Sequence, residues 1–333
     1  MKKKSMAIML VLLIIVAGLT GCSTGKDDTP SDNTATATPA AGGTDGSADF
    51  LVGFANNSDT YNYCAKFRAY LKQETEALGM QIMVTDAGGD TNVQNGQIDD
   101  FIVQDANVVS AISNDLDGSV PALEAARAAD LPYVSFLTTI TGADDYDKFI
   151  YVGSKNYDAG TEQGKFLVDK LPENARILYF TGEPNDQQYI DRKQGLMDQL
   201  ATRPDIEVLS EYNVNNQKDL GMSTTEDVLQ AYDTFDAIVC QNDDSALGVV
   251  EALKSAGRLE GVVVIGIDGS DDALNSVKAG EMTMTVLQDA QAQAKAGADI
   301  FKQIKDGVDP ATIQDVYVPF QTVTADNVDE FLK

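Results

Sequence analysis

Short apolar runs alternate with amphipathic segments from about residue 49 to the end of the chain. The runs "FLVGFA", "ARILYFTG" and "VVVIGIDG" are rich in β-branched and aromatic residues, which is typical of buried strands. Residues 61–78, 91–104 and 188–200 place apolar side chains at helical spacing, and each segment follows such a run. Strands that alternate with helices in this way form parallel sheets covered by helices on both faces. The pattern therefore predicts an α/β fold.

The alternation occurs in two successive sets of about four strand–helix units, and "KFIYVGS" leads from the first set into the second. The roughly 285 residues that carry the pattern are enough for two lobes. We therefore predict two similar doubly wound parallel-sheet lobes joined by a hinge, with a cleft between the ends of their strands. The pattern does not predict how the chain crosses between the lobes.

The stretch "AIVCQNDDSALGVVEALKSAG" places an amide and two carboxylates where a buried strand meets a helix. Asn242, Asp243 and Asp244 are suited to cap that helix, because Asn and Asp side chains accept bonds from the free N–H groups of a first turn. Open α/β sheets also bind small molecules beyond the carboxyl ends of their strands. From this stretch alone, capping is the favoured interpretation.

The N-terminal residues indicate the compartment. Basic residues 2–4 precede an apolar stretch, 6–17, that is too short for a comfortable transmembrane span. "LTGC" follows and resembles a bacterial lipobox, which implies a signal peptide at 1–21 and a lipid anchor on Cys22, facing outside the cytoplasm. An ordinary secretory signal or an uncleaved anchor is the alternative. Residues 22–48 contain no apolar run and are expected to form a disordered tether.

Composition excludes several classes of function. The formal net charge of -28 argues against nucleic acid or anionic membrane as a direct partner, because both are bound through basic patches. The chain contains no His, which excludes His-based triads and His metal sites. Cys64 and Cys240 are expected to be unpaired small core residues, and no Cys cluster suited to zinc exists. No nucleotide-binding glycine motif is present either, so we expect neither a cofactor nor a metal.

Longer motifs occur in a fixed order across residues 50–333. They are "YDKFIYVGSKNYDAGTEQG", "TGEPNDQQYIDRKQG", "QNDDSALGVVEALKSAG", "VIGIDGSDDAL" and "TVLQDAQAQAKAG". Together they resemble the sugar-binding periplasmic binding proteins of ABC transporters, type I fold, and are most similar to the galactose/glucose-binding branch. The resemblance implies a first lobe of 49–154 plus 289–318 and a second lobe of 155–288 plus 319–333. It also implies that the lobes close on a sugar as a monomer and present it to a permease.

The resemblance further implies which side chains contact the sugar. The family's polar and aromatic contacts match six positions, which are Tyr63, Asn114, Arg192, Asn242, Asp268 and Gln288. Planar amide, carboxylate and guanidinium groups can grip adjacent hydroxyls in pairs. An aromatic face packs against the C–H face of a sugar ring, which is the role implied for the tyrosine.

Several of these positions also have a purely structural interpretation. Asp268 would otherwise cap the next helix, Arg192 would be a solvated helix residue, and Tyr63 would belong to ordinary lobe packing. Phe136 and Phe180 lie inside apolar runs and are predicted to be core residues.

The chain departs from the family at positions that bear on specificity. Asp186 stands where the galactose branch has a His, Asn216 lies near the place of a stacking Trp, and Tyr61 corresponds roughly to an Asp. Leu137 and Thr138 replace the Asp-Arg pair of the ribose-type branch. "KLPENAR" is too short and too poor in carboxylates for the calcium loop of the galactose branch. The fold prediction is unaffected, but glucose or galactose is not firmly predicted as the ligand.

The leading hypothesis is a lipid-anchored receptor that delivers a sugar to an ABC permease. A sensing subunit that presents the closed state to a kinase or chemoreceptor is the alternative, since both use the same hinge. An enzyme is not expected. Asp243 and Asp244 are adjacent acids at a helix start, where one is predicted to cap the helix and the other to be solvated or to brace the loop. A repressor of the same fold is excluded, because the lipobox occupies the place of its DNA-reading head.

Overall fold

Two separate six-stranded sheets contain the strands of residues 50–182 and 187–332, which are the residues that this computed structural model describes. The strands are β1 (Leu51–Asn56), β2 (Gln81–Asp86), β3 (Val108–Ala111), β4 (Tyr133–Phe136), β5 (Phe149–Gly153), β6 (Arg176–Thr181), β7 (Glu207–Asn213), β8 (Ala237–Cys240), β9 (Val263–Asp268), β10 (Met284–Leu287), β11 (Val316–Tyr317) and β12 (Gln321–Thr324). The helices are α1 (Asn62–Ala77), α2 (Thr91–Val103), α3 (Val120–Ala128), α4 (Asn156–Lys170), α5 (Gln187–Leu200), α6 (Lys218–Ala231), α7 (Asp243–Ser255), α8 (Asp271–Lys278) and α9 (Ala290–Lys305).

The first sheet has the strand order β11-β5-β4-β3-β1-β2, and all its pairs are parallel. Its apolar side chains pack against α1 and α9 on one face and against α2 and α3 on the other. Phe54, Phe67 and Phe136 form the centre of the first face, with ring centroids 4.9 to 5.9 Å apart. Full burial of one such ring stabilises the fold by about 1.5–3 kcal/mol.

The second sheet repeats this plan with the order β12-β10-β9-β8-β6-β7, in which β12 pairs antiparallel with β10. Helices α6, α7 and α8 cover one face, and α4 and α5 cover the other. Phe180 is fully buried in this core, and so is Phe136 in the first, as the apolar runs predict. Cys64 and Cys240 are buried and unpaired, which confirms that interpretation of both thiols.

The predicted alternation of strands and helices is confirmed. The predicted helix 188–200 corresponds to α5, and the helix predicted after the run "AIVC" is α7, which begins at Asp243. The short strands β11 and β12 were not predicted, because "VY" and "QTVT" contain too few residues to show a period.

The chain passes between the two sheets after β5, again before α9, and a third time between β11 and β12. We call each sheet with its covering helices the first lobe and the second lobe. The residue-level boundaries given by the resemblance stay a prediction. The signal peptide, the tether with Cys22, and Asp186 lie outside the described residues. Among the helices described, none is both long and apolar enough to cross a membrane.

Candidate ligand-binding cleft

The two lobes share one strand order, since β2-β1-β3-β4-β5 in the first corresponds to β7-β6-β8-β9-β10 in the second. In such sheets a ligand binds beyond the carboxyl ends of the strands, where the order reverses beside the first strand. A cavity of about 990 Å³ lies at these strand ends and is lined by residues of both lobes. The topology and the cavity therefore mark the same place.

All six residues implied by the resemblance line this cavity. The first lobe contributes Tyr63 from α1 and Asn114 from the segment after β3. The second contributes the other four, from the ends of β8, β9 and β10 and from α5. Residues separated by more than 200 positions in the sequence thus meet at one cleft, although their contact with a ligand stays a prediction.

Arg192 is built into the second lobe and is not a solvated helix residue, since only 6% of it is exposed. Its Nη1 donates to the carbonyl oxygen of Gln241 at 2.7 Å, and its Nε donates to Oδ1 of Asn156 at 3.0 Å. Its Nη2 donates to Oε1 of Gln288 at 3.3 Å. One guanidinium therefore fixes α5 against the ends of β8, β10 and the first turn of α4, as the rigid fork of Arg allows.

Asp268 ends β9 in a strained conformation, with φ of 126°, and Gly269 follows with φ of 69°. A non-Gly residue at this φ costs about 1–3 kcal/mol and is found mainly at functional sites. The helix that follows is capped by the Ser270 side chain, which accepts from the Ala273 N–H, so Asp268 is not the cap. Burial raises the pKa of the Asp268 carboxyl well above its usual value, against the opposing effect of the Arg192 guanidinium.

The stretch that follows β8 corrects our assignment of the cap. Asn242 is the N-cap of α7, because its Oδ1 accepts from the Ser245 N–H at 3.1 Å. Neither Asp243 nor Asp244 performs that role. Asp243 is fully buried and accepts from the Ser270 N–H and the Thr285 hydroxyl, each at 2.7 Å. The prediction that one of the two acids caps the helix was wrong, because the preceding amide already has the extended backbone that a cap needs.

Asn242 nevertheless lines the cavity while it caps the helix. Its Nδ2 donates to the backbone carbonyl of Asn216 at 2.9 Å, which ties the end of β8 to the segment after β7. Asn215 and Asn216 both have positive φ, at 47° and 56°, and both line the cavity. Asn tolerates the left-handed region better than most residues, so this pair shapes the wall near the place where the galactose branch has a Trp.

The Tyr63 hydroxyl belongs to a chain of hydrogen bonds at the crossing segments. It donates to Oε1 of Gln293 at 2.7 Å, and Nε2 of Gln293 donates to Oγ of Ser154 at the same distance. Ser154 in turn donates to the carbonyl oxygen of Val318 at 2.6 Å. The hydroxyl is therefore engaged by the protein, and the ring is the part of Tyr63 that remains to contact a ligand.

Asn114 has a donor without a protein partner among the described residues. Its backbone N–H donates to Oε1 of Gln94 at 3.0 Å, while its buried Nδ2 has no such bond. Gln94 is held in turn by the carbonyl oxygen of Ile112 at 2.8 Å. A buried amide N–H left unpaired costs about 1–3 kcal/mol.

Sequence reasoning missed two amides that organise the second lobe. Gln241 is almost fully buried, and its Oε1 accepts from the Gly182 N–H at 3.0 Å while its Nε2 donates to the Tyr179 hydroxyl at 2.7 Å. Asn156 accepts from Arg192, as described above. Both residues lie inside quoted motifs, and Gln241 is next to the assigned Asn242, so an amide at a strand end or helix start was the available signal.

The arrangement offers hydrogen-bond donors and acceptors and no activated nucleophile in its described lining. Burial raises the pKa of the Cys64 thiol to about 12, so the thiolate required of a nucleophilic Cys does not form near neutral pH. Across residues 50–182 and 187–332, no three His, Cys, Asp or Glu side chains are grouped as metal ligands. These groups suit a neutral solute rich in hydroxyls.

The buried acid Asp243 predicts a pH-dependent stability. Burial raises its pKa to about 7, so the folded protein binds this proton more readily than the unfolded chain. The protonated Asp243 carboxyl therefore contributes fully to the free energy of unfolding below its pKa in the unfolded chain, about 3.9. This contribution is lost as the pH rises through the pKa of Asp243 in the folded protein. We expect the melting temperature of the ligand-free protein to fall from pH 5 to pH 8, and the Asp243→Asn variant to show a flatter profile.

Differential scanning fluorimetry across that pH range measures this effect. Asn keeps an acceptor for the Ser270 N–H, so the variant should fold. Asp99→Asn is the matched control, because it removes the same charge from an exposed site on α2. An Asp243→Asn profile as steep as that of the control would contradict the assignment of the pH dependence to Asp243.

Two doubly wound lobes, three connecting segments and a polar cleft at facing strand ends define a two-lobed solute-binding protein. A family model described as a periplasmic binding protein domain matches residues 52–308. The chain belongs to this family, and its fold is that of the type I periplasmic binding proteins.

Known relatives share most of the length of the chain. A putative rhizopine-binding protein of Rhizobium meliloti is 32% identical over 257 residues, which cover 76% of this chain and 82% of the relative. An ABC transporter solute binding protein from Bacillus halodurans, solved with bound myo-inositol, is 26% identical with a TM-score of 0.79 and covers 86% of this chain and 99% of its own. A Caulobacter myo-inositol binding protein, bound to myo-inositol, is 28% identical with a TM-score of 0.77. The match covers 84% of this chain and 95% of that protein. None of these three proteins is described as binding glucose or galactose. The placement of the chain in the galactose/glucose-binding branch therefore stays a prediction.

Proposed function

We propose that this protein is the extracytoplasmic binding component of an ABC importer and that it captures a sugar or cyclitol between its lobes. The family membership and the myo-inositol bound to two structural relatives support this class of solute. Family members are binding proteins, and we extend this to the chain itself, which we do not expect to turn over its ligand. Tyr63, Asn114, Arg192, Asn242, Asp268 and Gln288 are the proposed contacts.

One observation carries the proposal. Arg192, Asp268 and Gln288 converge from three separate elements on one wall of the cavity, while Asn114 lines it from the other lobe. A carboxylate, a guanidinium and amides together can satisfy both the donor and the acceptor of each ligand hydroxyl. A solute with many hydroxyls uses such a wall fully, whereas an apolar solute would leave its groups unpaired.

Ligand-induced stabilisation tests the proposed function. A panel of D-ribose, D-glucose, D-galactose, xylitol and myo-inositol should contain at least one compound that raises the melting temperature. A ligand at one hundred times its Kd adds about 2.7 kcal/mol of apparent stability. Isothermal titration calorimetry then gives the Kd. If amino acids or peptides stabilise the protein and no compound of the panel does, the sugar-class proposal is wrong.

Two contacts between the lobes are expected to stabilise the closed state and so to lower the Kd. Nζ of Lys66 on α1 lies 2.7 Å from Oδ1 of Asp271 on α8, and Nδ2 of Asn62 donates to Oδ1 of Asp244 on α7 at 2.8 Å. These bonds join the two lobes beside the cleft. We expect Lys66→Met to raise the Kd of every ligand by the same factor, roughly two- to five-fold, because an exposed ion pair contributes little.

Surface plasmon resonance should place this loss mainly in the dissociation rate, and added salt should remove the difference from wild type. Lys72→Met is the matched control, since Lys72 pairs with Glu76 within α1 and not across the cleft. A loss that differs from one ligand to the next would show instead that Lys66 contacts the ligand.

The anchoring of the protein rests on the N-terminal residues. We propose that Cys22 carries the lipid, that residues 22–48 tether a monomeric two-lobed receptor at the outer face of the cell membrane, and that permease subunits are its partner. Mass spectrometry of the mature N-terminus tests this directly. A mature N-terminus other than Cys22, or a Cys22 without the added mass of lipid, would contradict the lipid anchor.

A further inference from the structure

The cavity extends well beyond the six proposed contacts. Its volume of about 990 Å³ is at the upper end of the roughly 300–1,000 Å³ that encloses drug-sized ligands. The additional lining lies along the β5–β11 edge of the first sheet. We call this part the edge groove, and its lining includes Asp144, Asp147, Phe149, Tyr151, Asp315 and Tyr317. None of these residues is among the six proposed contacts.

The edge groove is continuous with the proposed binding wall. Tyr151 and Gly153 lie on the same face of β5, and a Cβ on Gly153 would be 2.2 Å from the Tyr151 hydroxyl oxygen, so the ring leans over Gly153 toward the cleft. The Tyr151 hydroxyl oxygen lies 3.1 and 3.2 Å from the carbonyl oxygens of Leu137 and Ser154, which share its single O–H donor. Leu137 lines the cavity, and Asn156, two residues beyond Ser154, holds Arg192.

Aromatic side chains form the floor of the edge groove. The rings of Tyr151 and Tyr317 have centroids 5.4 Å apart, and Tyr317 is 49% exposed although β11 is part of the sheet. Nζ of Lys155 lies 5.0 Å from the centre of the Tyr317 ring. Tyrosine rings pack against the C–H face of a sugar, and an adjacent ammonium donates to its hydroxyls.

The rim of the edge groove determines the charge of its occupant. Asp144, Asp147 and Asp315 are exposed carboxylates along it, and Oδ1 of Asp315 already accepts from the Tyr151 N–H at 2.8 Å. Of the side chains described at the edge groove, only Lys155 carries a positive charge to offset these three carboxylates. A phosphate or uronate would be repelled by the negative charges at this rim, whereas a neutral hydroxylated ring would not be repelled.

We infer that the edge groove is a second subsite, which takes a neutral sugar or aryl unit linked to the ring held at Arg192, so that the solute is a glycoside and not a free monosaccharide. The inference rests on the proposed function, because it extends the same cleft. The first unit is fixed by hydrogen bonds to the second lobe, and the linked unit packs on Tyr151 and Tyr317. Specificity for the linked unit is low, since aromatic packing selects shape more than hydroxyl configuration.

Calorimetry on the full protein tests the second subsite with matched pairs. The free rings are D-glucose, D-galactose, D-ribose and myo-inositol, and their partners are the phenyl α- and β-glycosides of the sugars and O-galactosyl-myo-inositol. For the ring that binds, we expect one partner to bind roughly 3- to 10-fold tighter than the free ring, as one added aromatic contact allows. The corresponding sugar 1-phosphate should bind more weakly than the free sugar.

Variants of Tyr317 separate the subsite from the primary site. Tyr317→Ala should remove the advantage of the glycoside and leave the Kd of the free ring within about two-fold. Tyr317→Phe is the control, since it keeps the ring. The second subsite is wrong if every glycoside binds worse than its free ring, or if Tyr317→Ala weakens both ligands equally. If no ring or glycoside binds at all, the proposed function fails with it.

Discussion

Replacing Arg192 with Ala is expected to weaken ligand binding by roughly 100-fold, because bonds to a charged donor contribute about 1.5–3 kcal/mol each. The substitution removes the donor that fixes Asn156 and Gln288, so both side chains lose their positions in the cavity wall. It also leaves the carbonyl oxygen of Gln241 without its 2.7 Å bond. We therefore expect a lower melting temperature as well, since this guanidinium is buried and not solvated.

The matched control is Arg203→Ala. Arg203 is also held by several bonds, to Asp205 at 2.8 Å and to the carbonyl oxygens of Val168 and Pro172 at 2.8 and 3.1 Å. It lies in the same lobe but does not line the cavity. Its loss should lower the melting temperature and leave the Kd unchanged. If both variants bind with wild-type affinity, Arg192 only stabilises the second lobe.

Arg192→Lys distinguishes charge from geometry. Lys keeps the positive charge near Asp268 but cannot donate in a fork to Gln241, Asn156 and Gln288 at once. We expect the Arg192→Lys variant to recover less than about one tenth of the affinity that Arg192→Ala loses. The alignment of the cavity wall depends on the planar, forked guanidinium group. Full recovery would show that the charge alone is required.

The sequence predicts the fold well because its signals are local and repeated. The run "VVVIGIDG" has no polar side chain before Asp268, as a strand covered on both faces requires, and β9 lies within the run and ends at that residue. By contrast, β12 was missed, since an edge strand with the sequence "QTVT" is stabilised by pairing with β10 rather than by its own pattern. The crossing of the chain between lobes depends on contacts distant in sequence, so periodicity cannot reveal it.

The candidate site shows a similar division. Resemblance places Asn242 at the cleft, and the structure agrees, yet the same side chain is also the helix cap. Cap and cleft residue were treated as alternatives, whereas a planar amide has enough donors and acceptors for both. One of the two acids Asp243 and Asp244 was predicted to cap the helix and the other to be solvated or to brace the loop, and Asp243 is a buried brace between α7 and β10. Burial is a property of the assembled lobe, so the letters "DD" do not distinguish the two acids.

The position of Arg192 depends on a close approach of two helices. A Cβ on Gly160 of α4 would lie 1.8 Å from the carbonyl oxygen of Arg192 on α5, and a Cβ on Gly195 would lie 2.1 Å from that of Tyr157. Both distances are far below van der Waals contact, so the backbones touch at these two glycines. The sequence did not indicate this contact, because a glycine inside a helix usually signals only weak helix propensity.

Gly160→Ala is therefore expected to destabilise the protein by about 1–3 kcal/mol and to lower the melting temperature by about 2–10 °C. The added methyl group cannot move aside, since the atom it meets is backbone, and α5 must shift away from α4. Because that backbone atom belongs to Arg192 itself, the shift of α5 also displaces the guanidinium. The misplacement of this one residue should raise the Kd at least ten-fold.

Gly96→Ala provides the opposite expectation from the same chemical change. Gly96 lies inside α2 with nothing within 4 Å of an added Cβ, so Ala there should stabilise the protein by about 0.5–1 kcal/mol through helix propensity alone. Melting temperature and Kd measured on both variants separate propensity from contact. A Gly160→Ala protein that is stabilised like Gly96→Ala would mean that α4 and α5 do not touch. A destabilised Gly160→Ala protein with unchanged affinity would mean that the wall around Arg192 is held by its hydrogen bonds and not by the helix contact beneath it.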